Sequence, residues 1–298
     1  MYRTTPTRHR RSIAFMIVAA ICWSSGGILV RQLSITSAWE IVFWRSLFMA
    51  LFVAGTLLVL YGPRMPNKVA AVGLPGLLSG LFLAGTFFFF IGSLTRTTVA
   101  NTFVLMSVSP FLAAIGGRLV LGERVPTRTW AAMSIAFGGI VLMFSDSVDI
   151  GRLEGNLLAL GVSCCFALNL VMLRKFRASA DMLPTVMLAG IWSLVPAFFL
   201  AGPLAASGRD LAILLLMGCV QLGAGCLLMT AAARHLSATE LGLLALLEPI
   251  LGPIWVWVLM GEQPSPLTLL GAGVVLSAVI ANELFGAYKA RGAMASSP

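Results

Sequence analysis

Apolar residues in this chain neither alternate with polar ones nor keep to one helical face. They run on for about 20 residues at a time, the length a helix needs to cross ~30 Å of hydrocarbon. Such stretches fall at 12–30, 38–60, 69–91, 98–117 and 127–145, and again at 154–173, 183–201, 210–232, 237–260 and 267–286. The gaps are short and rich in turn formers, as in YGPRMPNK from Tyr61 and AGPLAASGRD from Ala201. Backbone groups in lipid must be satisfied within their own segment, so each stretch is predicted to be a helix. The pattern therefore predicts an all-α integral membrane protein with ten transmembrane helices.

Two of those stretches end alike: LVLGERVPTR at 119–128 and VLMGEQPSPL at 258–267 each close an apolar run with Gly-Glu and follow it with proline. Sliding the second half over the first without gaps aligns Leu105, Pro110, Leu112 and Ile115 with Leu244, Pro249, Leu251 and Ile254. The same shift brings Gly122, Glu123 and Thr129 onto Gly261, Glu262 and Thr268. A slightly different shift sets Cys22, Trp23 and Arg31 against Cys165, Phe166 and Arg174. The chain thus reads as a duplicated five-helix unit, 12–145 and 154–286, with a basic tail at 1–11 and a second tail at 287–298. An odd number of helices per unit makes the two copies inverted in the membrane. Gly122 and Gly261 suit the left-handed residue that ends a helix. Pro126, Pro264 and Pro266 suit the start of the next one, with Glu123 and Glu262 near its positive end.

Charge fixes the expected orientation. Of 20 Lys and Arg, only Arg31, Arg96, Arg152 and Arg209 fall on one side and Arg45 falls within a span; all the others lie on the opposite side. The positive-inside rule then places both termini in the cytoplasm. The basic start of RHRRSIAFMIVAAICWSSGG at 8–27 resembles a signal peptide, but its apolar run continues to Val30 and its counterpart recurs mid-chain, where nothing could be cleaved.

Composition agrees with this class. The 298 residues are 59% hydrophobic and only 10% charged, against roughly 25% charged in soluble domains. A net charge of +9 could suggest nucleic acid, yet the cations occupy short gaps rather than one solvated face, so no nucleic-acid partner is expected. Cys22, Cys164, Cys165, Cys219 and Cys226 lie inside apolar runs without metal or haem spacing, so neither metal nor cofactor is expected. No catalytic motif sits where it could work, and neither His9 nor His235 has an obvious partner.

The Trp23-Ser24-Ser25 stretch, Pro110 and Pro249, and the two Gly-Glu joints resemble the drug/metabolite transporter superfamily. The similarity is to its EamA-type members, of ten helices in two inverted five-helix repeats, and more narrowly to bacterial exporters of aromatic and other neutral amino acids. That resemblance implies a central cavity near mid-membrane, lined by the first, third, fourth, sixth, eighth and ninth helices, with alternating access.

Polar residues within spans are costly and mark candidate pathway positions. Trp23 and Ser24 lie in the first span, Phe82 and Thr86 one turn apart in the third, and Asn101 and Leu105 on one face of the fourth, where Pro110 frees the Met106 carbonyl. Phe166 and Asn169 lie in the sixth, Gln221 in the eighth, and Glu248 in the ninth, immediately before Pro249 and opposite Ser109 of the first repeat. These residues are the expected cavity lining, with Pro110 and Pro249 as helix breaks or gates. For Asn101 the competing reading is packing between helices. Glu248 reads as a proton-coupling group or a partner for a ligand ammonium. Arg45 reads first as a structural partner of Glu40 and otherwise as a carboxylate-binding arginine. The expected function is export of small amphipathic metabolites, foremost aromatic and other neutral amino acids; the alternatives are export of flat organic cations, or a membrane scaffold or enzyme without translocation. The sequence sets no oligomeric state.

Overall fold

The computed structural model describes residues 6–35, 37–145, 153–176, 181–261 and 263–295, and among them there are helices and turns but no strand. Glu262 of the second Gly-Glu joint lies outside the described residues. The helices are α1 (Pro6–Ser24), α2 (Gly26–Arg31), α3 (Ala38–Tyr61), α4 (Met65–Ala71), α5 (Gly73–Leu94), α6 (Val99–Met106), α7 (Ser109–Leu121) and α8 (Thr127–Met143). They continue with α9 (Leu153–Phe176), α10 (Pro184–Leu200), α11 (Gly208–Leu216), a π-helical stretch (Met217–Ala224), α12 (Gly225–Ala232), α13 (Ala238–Ala245), α14 (Leu247–Met260) and α15 (Pro266–Ala295).

Among the described residues, 8 helical runs are long and apolar enough to cross a membrane. The other two expected spans, α8 and α10, have 17 residues each. At 1.5 Å per residue they reach about 26 Å, the lower limit for a crossing helix. Prolines fix both starts: Pro126 is the N-cap of α8 and Pro184 opens α10. The expected tails are also partly helical, because α1 begins at Pro6 and α15 continues to Ala295. Large apolar side chains stand exposed on the outside of the bundle, among them Leu51, Val59, Leu119, Phe199 and Leu269. Such a surface belongs against lipid.

Several spans are broken midway. The first bends at Ser25, where the Ser24 and Ser25 hydroxyls donate back to the carbonyls of Ile21 at 2.8 Å and Cys22 at 2.7 Å, a contact that loosens helices. The fourth breaks at Ser107 and Val108, the ninth at Leu246. Each of those breaks lies just before a proline, Pro110 or Pro249, which has no N–H to carry the helical ladder across the joint. Gly122 and Gly261 end α7 and α14 in the left-handed conformation, with φ of 65° and 73°. Glu123 departs from expectation: it makes no cap at α8, and Arg174 Nε donates to its Oε1 at 2.9 Å instead. Glu123 follows a left-handed residue and turns toward α9, away from the start of α8.

Packing joins the halves throughout. α5 lies on α9 while α1 lies on α12; α7 lies on α9 while α1 lies on α14; α3 faces α10, α8 faces α15 and α7 faces α13. The large core draws on both halves and includes Met16 of α1, Met133 of α8, Met229 of α12 and Leu241 of α13. At the periphery, α8 and α15 meet backbone to backbone. A Cβ added to Gly271 would sit 2.4 Å from the Gly139 carbonyl oxygen and 2.7 Å from the Met143 nitrogen. Small residues of this kind allow helices to pack closely where lipid provides no hydrophobic drive. Replacing Gly271 by Ala is therefore expected to destabilise the fold by about 1–3 kcal/mol. The readout is a lower thermal unfolding midpoint of the detergent-solubilised protein, and an unchanged midpoint would mean the backbones can separate freely.

Candidate functional site

The breaks surround one cavity in the middle of the bundle. Its walls come from α1 (Trp23), α3 (Arg45), α5 (Leu83, Thr86, Phe87, Phe90), the α6–α7 joint (Phe103, Met106, Ser107, Ser109) and α9 (Val162, Ser163, Phe166). The π-helical stretch and α12 supply Gln221, Leu222 and Cys226, and the α13–α14 joint supplies Ala245, Leu246, Glu248 and Pro249. Rings dominate the lining. Trp23 and Phe166 meet edge to face with centroids 6.1 Å apart, so the two residues that the repeat alignment paired touch at the centre. Phe90 meets Phe103 at 6.2 Å.

The polar groups are few: the hydroxyls of Thr86, Ser107 and Ser163 donate to carbonyls, while Arg45 and Gln221 keep unpartnered atoms. Arg45 is only 2% exposed, and its Nε and Nη2 are buried without a hydrogen-bond partner. Its guanidinium lies 5.7 Å from the centroid of Phe87, a cation–π contact. The Gln221 amide nitrogen donates to the Trp23 carbonyl at 3.4 Å, while its oxygen is buried and unsatisfied. Glu248 stands in the first turn of α14, half-buried. Close backbone approaches set these positions. A Cβ on Gly218 would lie 2.6 Å from the Arg45 carbonyl oxygen, and one on Gly225 would lie 2.5 Å from Trp23 Nε1.

Of the residues singled out in the sequence, Trp23, Thr86, Phe166, Gln221, Glu248 and Pro249 line this cavity. The others lie elsewhere, each for a visible reason. Ser24 accepts from Trp255 Nε1 at 2.8 Å and so ties α1 to α14. Phe82 is one position off the stripe of Leu83, Thr86, Phe87 and Phe90 that faces inward. The Asn101 amide donates to Thr97 Oγ1 and to Asn156 Oδ1, both at 2.9 Å. That makes Asn101 packing glue between α6 and α9. Leu105 contributes its carbonyl, which accepts from Ser163 Oγ at 2.8 Å. Asn169 is fully buried and accepts from Ser79 Oγ at 2.8 Å, joining α9 to α5. Pro110 packs against Gly242, where an added Cβ would lie 3.0 Å from the proline Cα.

Arg45 enters the site by a correction. The expected contact with Glu40 is replaced: Glu40 Oε1 accepts from the backbone nitrogens of Ala205 at 2.7 Å and Ala206 at 2.9 Å. Five residues on a helix separate two side chains by well over a quarter turn, so one faces the 201–207 loop and the other the cavity. Phe87, Phe90, Phe103, Met106 and Ser163 were not singled out either, because on uniformly apolar helices no change of polarity marks the inward face.

Beyond the cavity, toward the end of the bundle that carries the N-terminus, Leu241, Leu243 and Leu244 of α13 are fully buried. Three contacts between the halves close that end. Glu123 pairs with Arg174, His9 Nε2 lies 3.8 Å from Glu240 Oε1, and Tyr61 and Arg234 both donate to Asp181. His9 therefore has the partner its sequence context did not reveal. Burial acts to raise the Asp181 carboxyl, but the hydrogen bonds from Arg234 and Tyr61 outweigh it and hold the group below its ordinary value.

Apolar crossing helices that enclose a central cavity, with loops too short for a soluble catalytic face, have the plan of a membrane transporter. The chain matches the EamA-like transporter family over residues 10–145 and again over 153–282, and it belongs to that family. It is 27% identical over 291 residues to the pseudopaline exporter CntI of Pseudomonas aeruginosa, covering 91% of this chain and 95% of that one. It is 26% identical over 308 residues to a riboflavin transporter of Rhizobium johnstonii, covering 94% of each. A solved crystal structure shares its fold, with a TM-score of 0.80 at 14% identity over 92% of this chain and 96% of that one.

Asn101 and Glu248 should separate structural from lining roles. Asn101→Ala leaves Thr97 and Asn156 short of a buried donor and is expected to lower stability by about 1–3 kcal/mol. Glu248→Gln, at a residue with no side-chain hydrogen bond among the described residues, should leave stability nearly unchanged. Thermal unfolding of both variants in detergent checks this, and equal losses would contradict it.

Proposed function

We propose that this protein exports small amphipathic metabolites, foremost aromatic and other large neutral amino acids, across a bacterial cytoplasmic membrane. Movement is by alternating access of the central cavity, between two inverted five-helix repeats of ten spans in all. The observation that carries the reading is the cavity wall itself: rings from both halves with a few polar anchors, the lining that suits a small ligand with an apolar side chain and a charged head.

Several features support the finer points. The contacts come in matched sets under exchange of the halves: α5 on α9 corresponds to α1 on α12, and α7 on α9 to α1 on α14, while α3–α10 and α8–α15 are self-matched. That is the packing an inverted duplication would produce. α8 and α10 complete the count of ten as short crossings. The cationic side chains gathered at one end support cytoplasmic termini. Contacts between the halves at each end, such as Arg174 with Glu123 and Glu40 with Ala205 and Ala206, are of a kind that rocking one half against the other would break and remake. The exporter named among the relatives supports the outward direction.

Flat organic cations fit less well, because Arg45 shares the cavity with Glu248 and would repel a purely cationic ligand. The test is uptake of labelled phenylalanine and threonine into liposomes holding the purified protein, with and without an imposed proton gradient, for wild type and Glu248→Gln. Saturable uptake independent of the gradient would support an amino-acid pathway without proton coupling. Uptake that needs the gradient and fails in the variant would assign coupling to Glu248. A folded protein that takes up neither amino acid would refute the substrate reading.

A further inference from the structure

Arg45 and Glu248 are the two ionisable acid–base side chains of opposite sign in the cavity wall, and they do not neutralise each other. Arg45 projects from α3 and Glu248 from the start of α14; no ion pair joins them among the described residues. Cys226 lines the same wall. Two nitrogens of the guanidinium are buried with nothing to donate to. A buried charge left unpaired is strongly unfavourable, and a site holding one is incomplete until a counter-charge arrives. Repetition does not explain Glu248: the matching position in the first half is Ser109, also in the wall but uncharged. Arg45 comes from the first half and Glu248 from the second.

We infer that Arg45 and Glu248 form a split clamp for a zwitterion, with Arg45 receiving the ligand carboxylate and Glu248 its ammonium, while Trp23, Phe87 and Phe166 hold the side chain. The inference rests on the transport reading above and deepens it by naming the headgroup. A guanidinium presents its donors in a planar fork that matches a carboxylate. Glu248 can only accept, as an ammonium requires. Gln221, with an unpartnered carbonyl oxygen in the same wall, adds a second acceptor. The clamp rejects molecules bearing one charge alone, because each would leave the opposite wall unpaired.

The experiment measures binding of three labelled probes to the full-length protein in nanodiscs by equilibrium dialysis: phenylalanine, 2-phenylethylamine and 3-phenylpropionate. The last two lack only the carboxylate and only the ammonium. Wild type should bind phenylalanine at least about tenfold more tightly than either analogue. Arg45→Gln should abolish the advantage over phenylethylamine and keep that over phenylpropionate; Glu248→Gln should do the reverse. An analogue bound as tightly as phenylalanine by wild type, or no binding of any probe by folded protein, overturns the clamp. If a variant fails to fold, the wild-type comparison alone decides. Zwitterion-selective binding without liposome uptake would leave the clamp standing and remove the transport reading. Uptake without selectivity would do the opposite.

Discussion

No backbone group can be left bare inside a hydrocarbon layer, and the middle of this protein is built around that constraint. Four of its spans interrupt the helical ladder at mid-depth: at Ser25, at Ser107 and Val108, over Met217–Ala224, and at Leu246. Exposed to lipid, each break would be prohibitive; facing inward, each can be answered by a neighbour. Ser163 reaches the Leu105 carbonyl and Gln221 reaches that of Trp23. The requirement draws the broken helices together, and the cavity lies where they meet. Arg45 is the exception, a buried cation on the unbroken α3 that no break accounts for.

Much of this could be read from the sequence because it depends on local chemistry. Proline cannot continue the ladder, so Pro110 and Pro249 mark the joints without knowledge of their neighbours. Gly122 and Gly261 could likewise be placed as left-handed helix ends. The recurring sequence pattern added a non-local signal, pairing Trp23 with Phe166, whose rings meet in the structure. What could not be read was which partner a polar residue chooses. Asn101 and Asn169 look like pathway residues along the chain, yet Thr97, Asn156 and Ser79 engage them first. Arg45 carried the opposite error, since a nearby Glu40 on the chain offered a partner that points elsewhere. On α5 the choice between Phe82 and Leu83 is a rotation of one residue, and a run of apolar side chains contains nothing to fix it.

The two ends of the bundle differ in how the halves hold each other. At the N-terminal end, buried leucines lie under paired charges such as Arg174 with Glu123. At the other end Arg96 pairs with Glu154, and carboxylates also take backbone groups, with Glu40 accepting from Ala205 and Ala206 and with Asp210 bound to both the nitrogen and the hydroxyl of Ser34. Neither end depends on a disulfide, as all five cysteines are free. Contacts of this sort are individually modest and can be exchanged one at a time, which suits the alternating access proposed above.

The widened turn at Met217–Ala224 has a geometrical role besides bringing Gln221 to the wall. Its neighbours on the chain serve different hosts: α11 packs on α3, whereas α12 packs on α1. A uniform α-helix carries one apolar stripe in nearly constant register and would present the same side to both. Extra residues in a π-turn advance that register, so the segment acts as a phase shifter that lets a single span change partners halfway through the membrane.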